Sequence, residues 1–422
     1  MKQYEEYKDS GVEWIGRVPG HWEVERIKTI YKERTELSED GKETLMSVSE
    51  YYGVEPKANF AEEGEYLSRA ATLVGYKKCF KGDFVSNIML AWKGSFGVTK
   101  YDGIVSPAYC VYKPSSEIYS PFFHYLFRTS FYTGRFKSFS HGIMDSRLRL
   151  YSPEFYDVEA IIPPLPEQRA VVEYLDGKCE EIDKMVAKKQ ARIALLGELK
   201  QSLITRAVTK GLNLNAKMKP SGVDWIGEVP ENWELKRGKF CTKLRSGYPF
   251  DSNKFTKDAG YIGLIRIRDI SNDTTEINYV GDYPKDALVT KGDVLIGMDG
   301  EFNVAKWKGA DALLNQRVCK VLDTPKVLSH YLFYLLPRPL KCINDVTYST
   351  TVKHLSTSDI ANSVIPVPPL PEQQRIAAYL AAKCAAIDTS IAKAEKEIAL
   401  LGELKQSLIT EVVTGKRCVV TD

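Results

Sequence analysis

The residues IALLGELKQSLIT at positions 193–205 occur a second time, without a single change, at positions 398–410. Each copy lies near the end of a segment that opens with the same six residues, PPLPEQ, at 163–168 and again at 368–373. The offset between the copies is 205 positions throughout. An internal repeat of this kind determines the architecture, and the rest of the chain is organised around it.

Both copies are predicted to be long helices. Pro166 and Pro371 fit the first helical position, where the missing N–H costs nothing, and each is followed by a glutamate that the helix dipole favours. Gly211 and Gly415 follow the last periodic residues, as helix-terminating glycines do. About 40 residues at 1.5 Å per residue give a helix of roughly 60 Å, far longer than an ordinary globular helix.

Apolar residues recur along both helices with a period of seven, which is typical of coiled-coil packing. We interpret the helices as a pair within one chain that acts as a spacer, because the repeat extends beyond them. A dimerisation rod between two chains is the alternative. The predicted helix–helix seam consists of Val172, Leu175, Ile182, Val186, Ile193, Leu196, Leu203, Leu380, Ile387, Ile391, Ile398, Leu401 and Leu408.

A second repeat precedes each half. Residues 10–23 read SGVEWIGRVPGHWE and residues 221–234 read SGVDWIGEVPENWE, with ten of the fourteen positions identical. The tryptophans of this motif could stack on nucleic-acid bases. We expect them instead to be structural anchors that pack the motif against the helix ends.

Two variable blocks lie between the repeats, at residues 24–162 and 235–367. Short apolar runs between turn residues predict strands, and residues 261–270, 292–297 and 317–322 are the clearest in the second block. Residues 120–132 and 328–336 resemble helices. The predicted fold class is therefore mixed α/β, with two globular domains separated by two long helices and a pseudo-twofold internal repeat. The predicted order is a motif at 1–23, a globule at 24–162, a helix at 163–211, a motif at 212–234, a globule at 235–367 and a helix at 368–416.

Composition excludes several classes of protein. The chain has 422 residues, 44% hydrophobic and 27% charged, with a net charge of +3 and eight cysteines. The polar start is unlike a signal peptide, no apolar run is long enough to span a membrane, and no cysteine pair has zinc-ribbon spacing. No Walker loop, GxGxxG, HExxH or GxSxG motif is present, so we expect a cytoplasmic protein without an active site or a metal.

Basic residues cluster within the variable blocks. Arginine and lysine side chains near phosphates give affinity, and bidentate contacts to base edges give sequence choice. Arg266 and Arg268 alternate along a predicted strand and should share one face. An ordinary solvated surface is the alternative for any single residue. The candidate DNA-binding residues are Arg135, Lys137, His141, Arg147, Arg149, Lys243, Arg245, Tyr248, Arg266, Arg268, Lys353 and His354.

The repeated SGVxWIGxVPxxWE motif, the PPLPEQ helix opening and the LLGELKQSLIT helix end resemble the specificity (S) subunit of type I restriction-modification systems. The resemblance covers essentially the whole chain, twice and in the same order. The two Lys-Gly-Asp segments at 81–83 and 291–293 are also similar to segments of that family's target recognition domains.

This resemblance implies two target recognition domains, each reading one half of a split DNA site, and two antiparallel helices that set the gap. It also implies docking of two methyltransferase subunits, followed by restriction/translocase subunits. The subunit itself has no catalysis, and S-adenosylmethionine, ATP and Mg are expected on the partner subunits.

Two alternatives remain at the level of sequence. A fused nuclease-methyltransferase would need cofactor motifs that the chain lacks. The other is a coiled-coil scaffold with two protein-binding globular domains, and tight, salt-sensitive DNA binding by the assembled complex would argue against it.

Overall fold

The computed structural model describes residues 3–60, 70, 72–144, 147–346 and 353–419. The chain divides into two compact units. Unit one comprises residues 1–189 and 396–422, and unit two comprises residues 190–395. Both divisions fall inside long helices, so each long helix gives one part of its length to each unit.

The long helices are unbroken, spanning Leu165–Lys210 (46 residues) and Leu370–Val413 (44 residues). The glycines after them adopt positive φ, +73° at Gly211 and +75° at Gly415, which is the left-handed conformation of a helix C-cap. The predicted helices and helix-terminating glycines are confirmed.

Within each unit, the parts of the two helices run antiparallel. In unit one, Lys405 Nζ lies 2.7 Å from Asp183 Oδ1, and Lys189 pairs with Glu397. In unit two, Lys200 Nζ lies 2.6 Å from Asp388 Oδ1. The lysines that interrupt the apolar seam are therefore held by carboxylates on the neighbouring helix.

Burial along the seam is uneven. The positions nearest the globules are buried, whereas those toward the middle of each helix are only partly covered. Coiled-coil burial therefore weakens from the middle of each helix into the exact repeat, which lies in the second half of each helix. The buried seam residues are Val172, Leu175, Ile182, Leu380, Ile387 and Leu408. The partly buried ones are Val186, Ile193, Leu196, Leu203, Ile391, Ile398 and Leu401.

Unit one is built on a four-stranded antiparallel sheet in the order β4-β11-β8-β9, covered by short helices. The further pairs are β1-β2, β3-β12, β5-β6 and β7-β10. The strands are β1 (Tyr7–Asp9), β2 (Arg17–Pro19), β3 (Glu23–Arg26), β4 (Tyr31–Glu33), β5 (Met46–Ser49), β6 (Gly53–Pro56), β7 (Lys77–Cys79), β8 (Phe84–Asn87), β9 (Phe96–Val98), β10 (Gly103–Val105), β11 (Tyr109–Pro114) and β12 (Glu159–Ile162). The helices are α1 (Ile27–Ile30), α2 (Ser120–Phe127), α3 (Ser130–Phe139), α4 (Ser152–Asp157) and the long α5 (Leu165–Lys210).

Unit two repeats this plan with β16-β24-β21-β22 as its four-stranded sheet, and adds a five-stranded sheet, β17-β19-β18-β23-β20. The strands are β13 (Met218–Pro220), β14 (Glu228–Pro230), β15 (Glu234–Arg237), β16 (Lys243–Ser246), β17 (Phe255–Thr256), β18 (Ile262–Ile265), β19 (Asn278–Tyr279), β20 (Leu288–Val289), β21 (Val294–Gly297), β22 (Val304–Lys306), β23 (Ala312–Leu314), β24 (Val318–Leu322) and β25 (Val364–Val367). The helices are α6 (Ser329–Leu335), α7 (Pro337–Val346), α8 (Thr357–Asn362) and the long α9 (Leu370–Val413). The predicted mixed α/β class is confirmed.

The Lys-Gly-Asp segments form the turn that leads into the central strand of each four-stranded sheet. Asp83 accepts a hydrogen bond from Phe80 N at 2.8 Å and lies 2.7 Å from Arg34 Nε. Asp293 accepts from Thr290 N at 2.7 Å and lies 2.5 Å from Lys320 Nζ. This motif therefore stabilises the sheet.

The tryptophan motif packs against the helix ends, as predicted. Trp22 and Trp233 are 0% and 1% exposed. Trp233 Nε1 donates to Glu372 Oε2 at 3.1 Å, beside Gly211. In unit one, by contrast, the Glu167 carboxylate is held by His21 Nε2 at 2.8 Å and by the Tyr4 hydroxyl. Each motif thus clamps the start of one long helix and the end of the other.

Candidate nucleic-acid interface

The candidate interface of unit one lies at the end of β8, where two loops meet. One loop joins β8 to β9, and the other follows α3. Leu150 N donates to Ile88 O at 2.9 Å, which fixes the two loops side by side. Large apolar side chains are exposed on both, with Ile143 fully exposed and Met144 58% exposed.

Cations accompany these apolar groups. The ammonium groups of Lys93 and Lys137 lie 5.1 and 4.9 Å from the centre of the Trp92 ring, at distances typical of cation–π contacts. Arg147 is exposed in the loop after α3. Lysine ammonium groups beside an aromatic ring form a surface suited to a polyanion.

Three other candidates of unit one have structural partners. The Arg135 guanidinium lies 5.1 Å from the Trp14 ring centre and 3.6 Å from Glu159 Oε2. His141 Nε2 lies 3.0 Å from Glu154 Oε1, and the backbone of His141 pairs with that of Arg149. Arg135 therefore belongs to the packing of the tryptophan motif, and His141 helps to close the loop.

In unit two, four stretches of the chain meet at the corresponding end of the four-stranded sheet. Tyr248 pairs with Asn315 through the backbone, and Asp299 pairs with His354. Met298 N donates to Arg317 O at 3.0 Å. The structure brings the exposed candidate residues Tyr248 and His354 together at this end of the strands, which we call the sheet edge of unit two. Lys353 instead donates from Nζ to Asn344 Oδ1 at 2.7 Å, which directs its ammonium group into the unit.

Lys243 and Arg245 lie on β16, at the side of the same sheet. Lys243 is exposed, and Arg245 Nη1 lies 3.4 Å from Asp286 Oδ1. β16 pairs with β24 from Lys243 opposite Leu322 to Ser246 opposite Cys319. Lys243 and Arg245 therefore lie beside the sheet edge of unit two.

The predicted strand position of Arg266 and Arg268 is wrong. β18 ends at Ile265, and residues 267–270 form a turn. The buried Asp269 carboxylate causes this, because it accepts from Arg266 N at 3.0 Å and from Arg266 Nε at 3.2 Å. Burial alone would lower the pKa of the Arg266 guanidinium, but its hydrogen bonds to Glu276 and Asp269 raise it. Arg266 is thus fixed within the turn, whereas Arg268 is exposed.

Sequence reasoning missed Arg317, Asp299 and the apolar pair Ile143 and Met144. Arg317 is 56% exposed at the edge of unit two, and its Nη1 lies 3.5 Å from Asp299 Oδ1. The available signal for Arg317 was its place as a charged residue at the start of a predicted strand. No local sequence pattern marks Asp299, which comes close to Arg317 only because their strands pair in the sheet.

Among the described residues, no group of histidine, cysteine, aspartate or glutamate side chains could hold a metal ion. None of the helices in the described part of the chain combines the length and the apolar character that a membrane span requires.

Comparison with known proteins gives a consistent result. Residues 230–399 match the type I restriction modification DNA specificity domain. The specificity subunit of the type I restriction enzyme EcoBI from Escherichia coli is 37% identical over 195 residues, which cover 46% of this chain and 41% of that protein. The match therefore spans less than half of the relative's length. The MjaVIII specificity subunit from Methanocaldococcus jannaschii is 24% identical over 425 residues, covering 95% and 94% of the two chains.

Two solved structures share the fold. A chain of a type I R-M system structure gives a TM-score of 0.73 at 16% identity, covering 94% of this chain and 98% of that one. The HsdS subunit from Thermoanaerobacter tengcongensis gives 0.56 at 18% identity, with coverages of 97% and 100%. The repeated helices and the two globules are thus shared with these structures, and residues 230–399 match the DNA specificity domain. In sequence and in fold the chain is similar to the specificity subunits of type I restriction-modification systems, which confirms the resemblance of its repeated motifs.

Proposed function

We propose that this chain is the sequence-specific DNA-binding subunit of a type I restriction-modification complex. The globule of each unit reads one half of a bipartite site, and the paired helices set the unread gap. The observation that carries this proposal is a contrast within one chain. Residues 193–205 and 398–410 of the two helices are identical, whereas the equivalent sheet edges of the two units present different side chains.

The charge distribution supports DNA as the ligand. The net charge of +3 is small, yet Lys93, Arg147 and Arg317 lie at the two sheet edges. Local cations neutralise phosphates and release counterions, which gives affinity without a large net charge. Side chains that differ between the two edges then provide sequence choice.

The exact repeat carries a second surface, which we assign to the methyltransferase partners. Leu195 and Leu199 are 65% and 49% exposed, and their counterparts Leu400 and Leu404 are 52% and 55% exposed. Each pair is spaced i, i+4 and therefore lies on one helix face. We call these pairs the leucine faces.

Packing between the two helices does not explain why these exposed leucines are identical. Seam positions tolerate change, since Val172 corresponds to Ala377 and Val186 to Ile391. Exposed positions face only solvent or a partner. Identity there is expected if both leucine faces meet copies of the same protein, which is consistent with two identical methyltransferase subunits.

In this proposal the chain itself is not an enzyme. Methylation and cleavage reside on the methyltransferase and restriction/translocase subunits, which supply the sites for S-adenosylmethionine, ATP and Mg. The complex acts on double-stranded DNA in the cytoplasm.

A methylation map tests the proposed function. The chain is expressed with its methyltransferase subunits in a host that lacks adenine methylation, and modified bases are located across the genome. We expect a split motif with a fixed gap, methylated on both strands. An assembled complex that leaves no methylation would favour the scaffold alternative, and a continuous motif would show that only one unit reads DNA.

Stoichiometry tests the leucine faces. Replacing Leu195 and Leu199 by aspartate should yield a complex with one methyltransferase subunit, measured by native mass spectrometry, and the Leu400 and Leu404 pair should behave alike. Gln190→Asp, an exposed position on the opposite side of the same helix, is the matched control. Retention of two methyltransferase subunits by both leucine variants would contradict this assignment.

A further inference from the structure

Arg317 and His354 share one carboxylate at the sheet edge of unit two. Asp299 Oδ1 lies 2.6 Å from His354 Nδ1 and 3.5 Å from Arg317 Nη1. The Asp299 side chain is 19% exposed, whereas those of Arg317 and His354 are 56% and 58% exposed. A largely buried acid therefore anchors an outward arginine and an outward histidine.

The backbone around this cluster is fixed on several sides. Met298 N donates to Arg317 O, Arg317 N donates to Asn315 Oδ1 at 3.3 Å, and Gly300 N donates to Lys353 O at 2.9 Å. Gly300 has a φ of +74°, which lets the chain turn directly after Asp299. The carboxylate thus has a set position at the end of the central sheet.

A guanidinium anchored at one nitrogen keeps its remaining N–H groups directed outward. Holding a long side chain in place before binding reduces the entropy that binding would otherwise lose. Bidentate donation from arginine to guanine O6 and N7 is the commonest specific contact in the major groove. A phosphate contact needs no such orientation, because the charge alone attracts the backbone.

We infer that Arg317 is a specificity-determining residue that reads a guanine, with Asp299 as its positioning residue. This inference rests on the proposed function and extends it to the identity of one base pair. The half-site read by unit two contains a G·C pair at a fixed position. At the equivalent edge of unit one, the exposed side chains include Met89, Ile143 and Met144, which suit thymine methyl groups.

Motif maps of the complete methyltransferase complex test this inference. In Arg317→Ala, one guanine of one half-site should become degenerate, with discrimination falling roughly 10- to 100-fold. Arg317→Lys should lose much of the same discrimination, because an ammonium group lacks the bidentate fork. Asp299→Asn, which keeps the shape and removes the charge, should relax the same position by a smaller factor.

Arg338→Ala is the matched control, because Arg338 is an exposed arginine of unit two at the start of α7, beside Lys200 and Asp388. It should leave both half-sites unchanged. In every variant, the half-site read by unit one stays specified and reports that the complex is folded and assembled.

An unchanged motif in Arg317→Ala, or equal relaxation of both half-sites, would overturn the assignment while the split wild-type motif still supports the proposed function. Relaxation at a base pair other than G·C would also overturn it. A wild-type complex that assembles but gives no split motif would refute the proposed function itself, and this inference with it.

Discussion

Between the two halves of the chain, the long helices differ less than the globules do. Residues 193–205 and 398–410 are identical, and both halves keep the same four-stranded sheet. Beyond that sheet, unit one has the small pairs β5-β6 and β7-β10, and unit two has a five-stranded sheet. In the proposed function, a helix that packs on one side and meets a partner on the other has little freedom to change. A loop that contacts DNA is constrained mainly by the bases it reads.

The largest expected effect concerns the helices as a spacer. We predict that removing one heptad from each helix, residues 188–194 and 393–399, which spares both leucine faces, shortens the methylated gap by about three base pairs, since seven residues span roughly 10.5 Å. Seven residues are nearly two turns, so the seam keeps its phase. Methylation mapping measures the gap. The half-sites themselves should not change, and an unchanged gap would rule out the spacer role.

Substitution of the helix-terminating glycine should destabilise unit one more than unit two. A Cβ at Gly415 would lie 2.5 Å from Pro19 Cδ, whereas one at Gly211 would lie 3.0 Å from Glu372 Oε1, at the end of a flexible side chain. We expect Gly415→Ala to destabilise unit one by about 2–4 kcal/mol and Gly211→Ala to destabilise unit two by about 1–2 kcal/mol. Hydrogen exchange resolved by peptide measures each unit separately.

Gly197→Ala and Gly402→Ala are the controls for this comparison. Both glycines are in mid-helix, and an added Cβ would meet nothing within 4 Å. Each substitution should stabilise its helix by about 0.5–1 kcal/mol. Equal losses from Gly211→Ala and Gly415→Ala would contradict the predicted difference.

The next largest expected effect is that acid destabilises unit one more than unit two. His124 of α2 is largely buried, and burial, followed by the nearby Arg128 and Lys100, lowers its pKa from 6.5 to about 3. Phe333 occupies the equivalent place in α6, since Gln168 Oε1 and Gln373 Oε1 accept from Tyr119 N and Leu328 N at the starts of these helices.

The folded state of unit one therefore holds His124 neutral, whereas the unfolded chain takes up a proton below pH 6.5. Stability is lost as the pH falls below that value, by up to about 2 kcal/mol at pH 5. Hydrogen exchange at pH 7 and 5, corrected for intrinsic rates, should show this loss in unit one, and His124→Gln should reduce it. A loss of equal size in unit two would argue against His124 as its source.

The smallest effect concerns the anchoring tryptophans. Trp233 Nε1 bonds Glu372, whereas Trp22 Nε1 is buried without a hydrogen-bond partner among the described residues. Phenylalanine removes the N–H from both sites, so Trp233→Phe should cost about 1 kcal/mol more than Trp22→Phe. Hydrogen exchange in the two motifs tests the difference. Equal costs would mean that the Trp233–Glu372 bond adds nothing to stability.

Much of the fold could be predicted from the sequence, because the helices are specified locally by prolines, heptads and terminal glycines. The tryptophan anchors followed from the repeat of their motif. The edge of unit two could not be predicted in the same way. Asp299 lies 18 positions from Arg317 and 55 from His354, and only the register of β21 and β24 and the bridge to His354 bring them together. Likewise, Asp269 ends β18 through a hydrogen bond that strand propensity does not anticipate.

The division of each long helix between two units affects how the protein is made on the ribosome. All of unit two, residues 190–395, is synthesised before the last part of unit one. The core of unit one includes Leu408, Ile409, Val412 and Val413 at the end of α9. Unit one is therefore the last to complete its core, and its apolar surface stays uncovered while some 200 intervening residues emerge at roughly 5–20 per second.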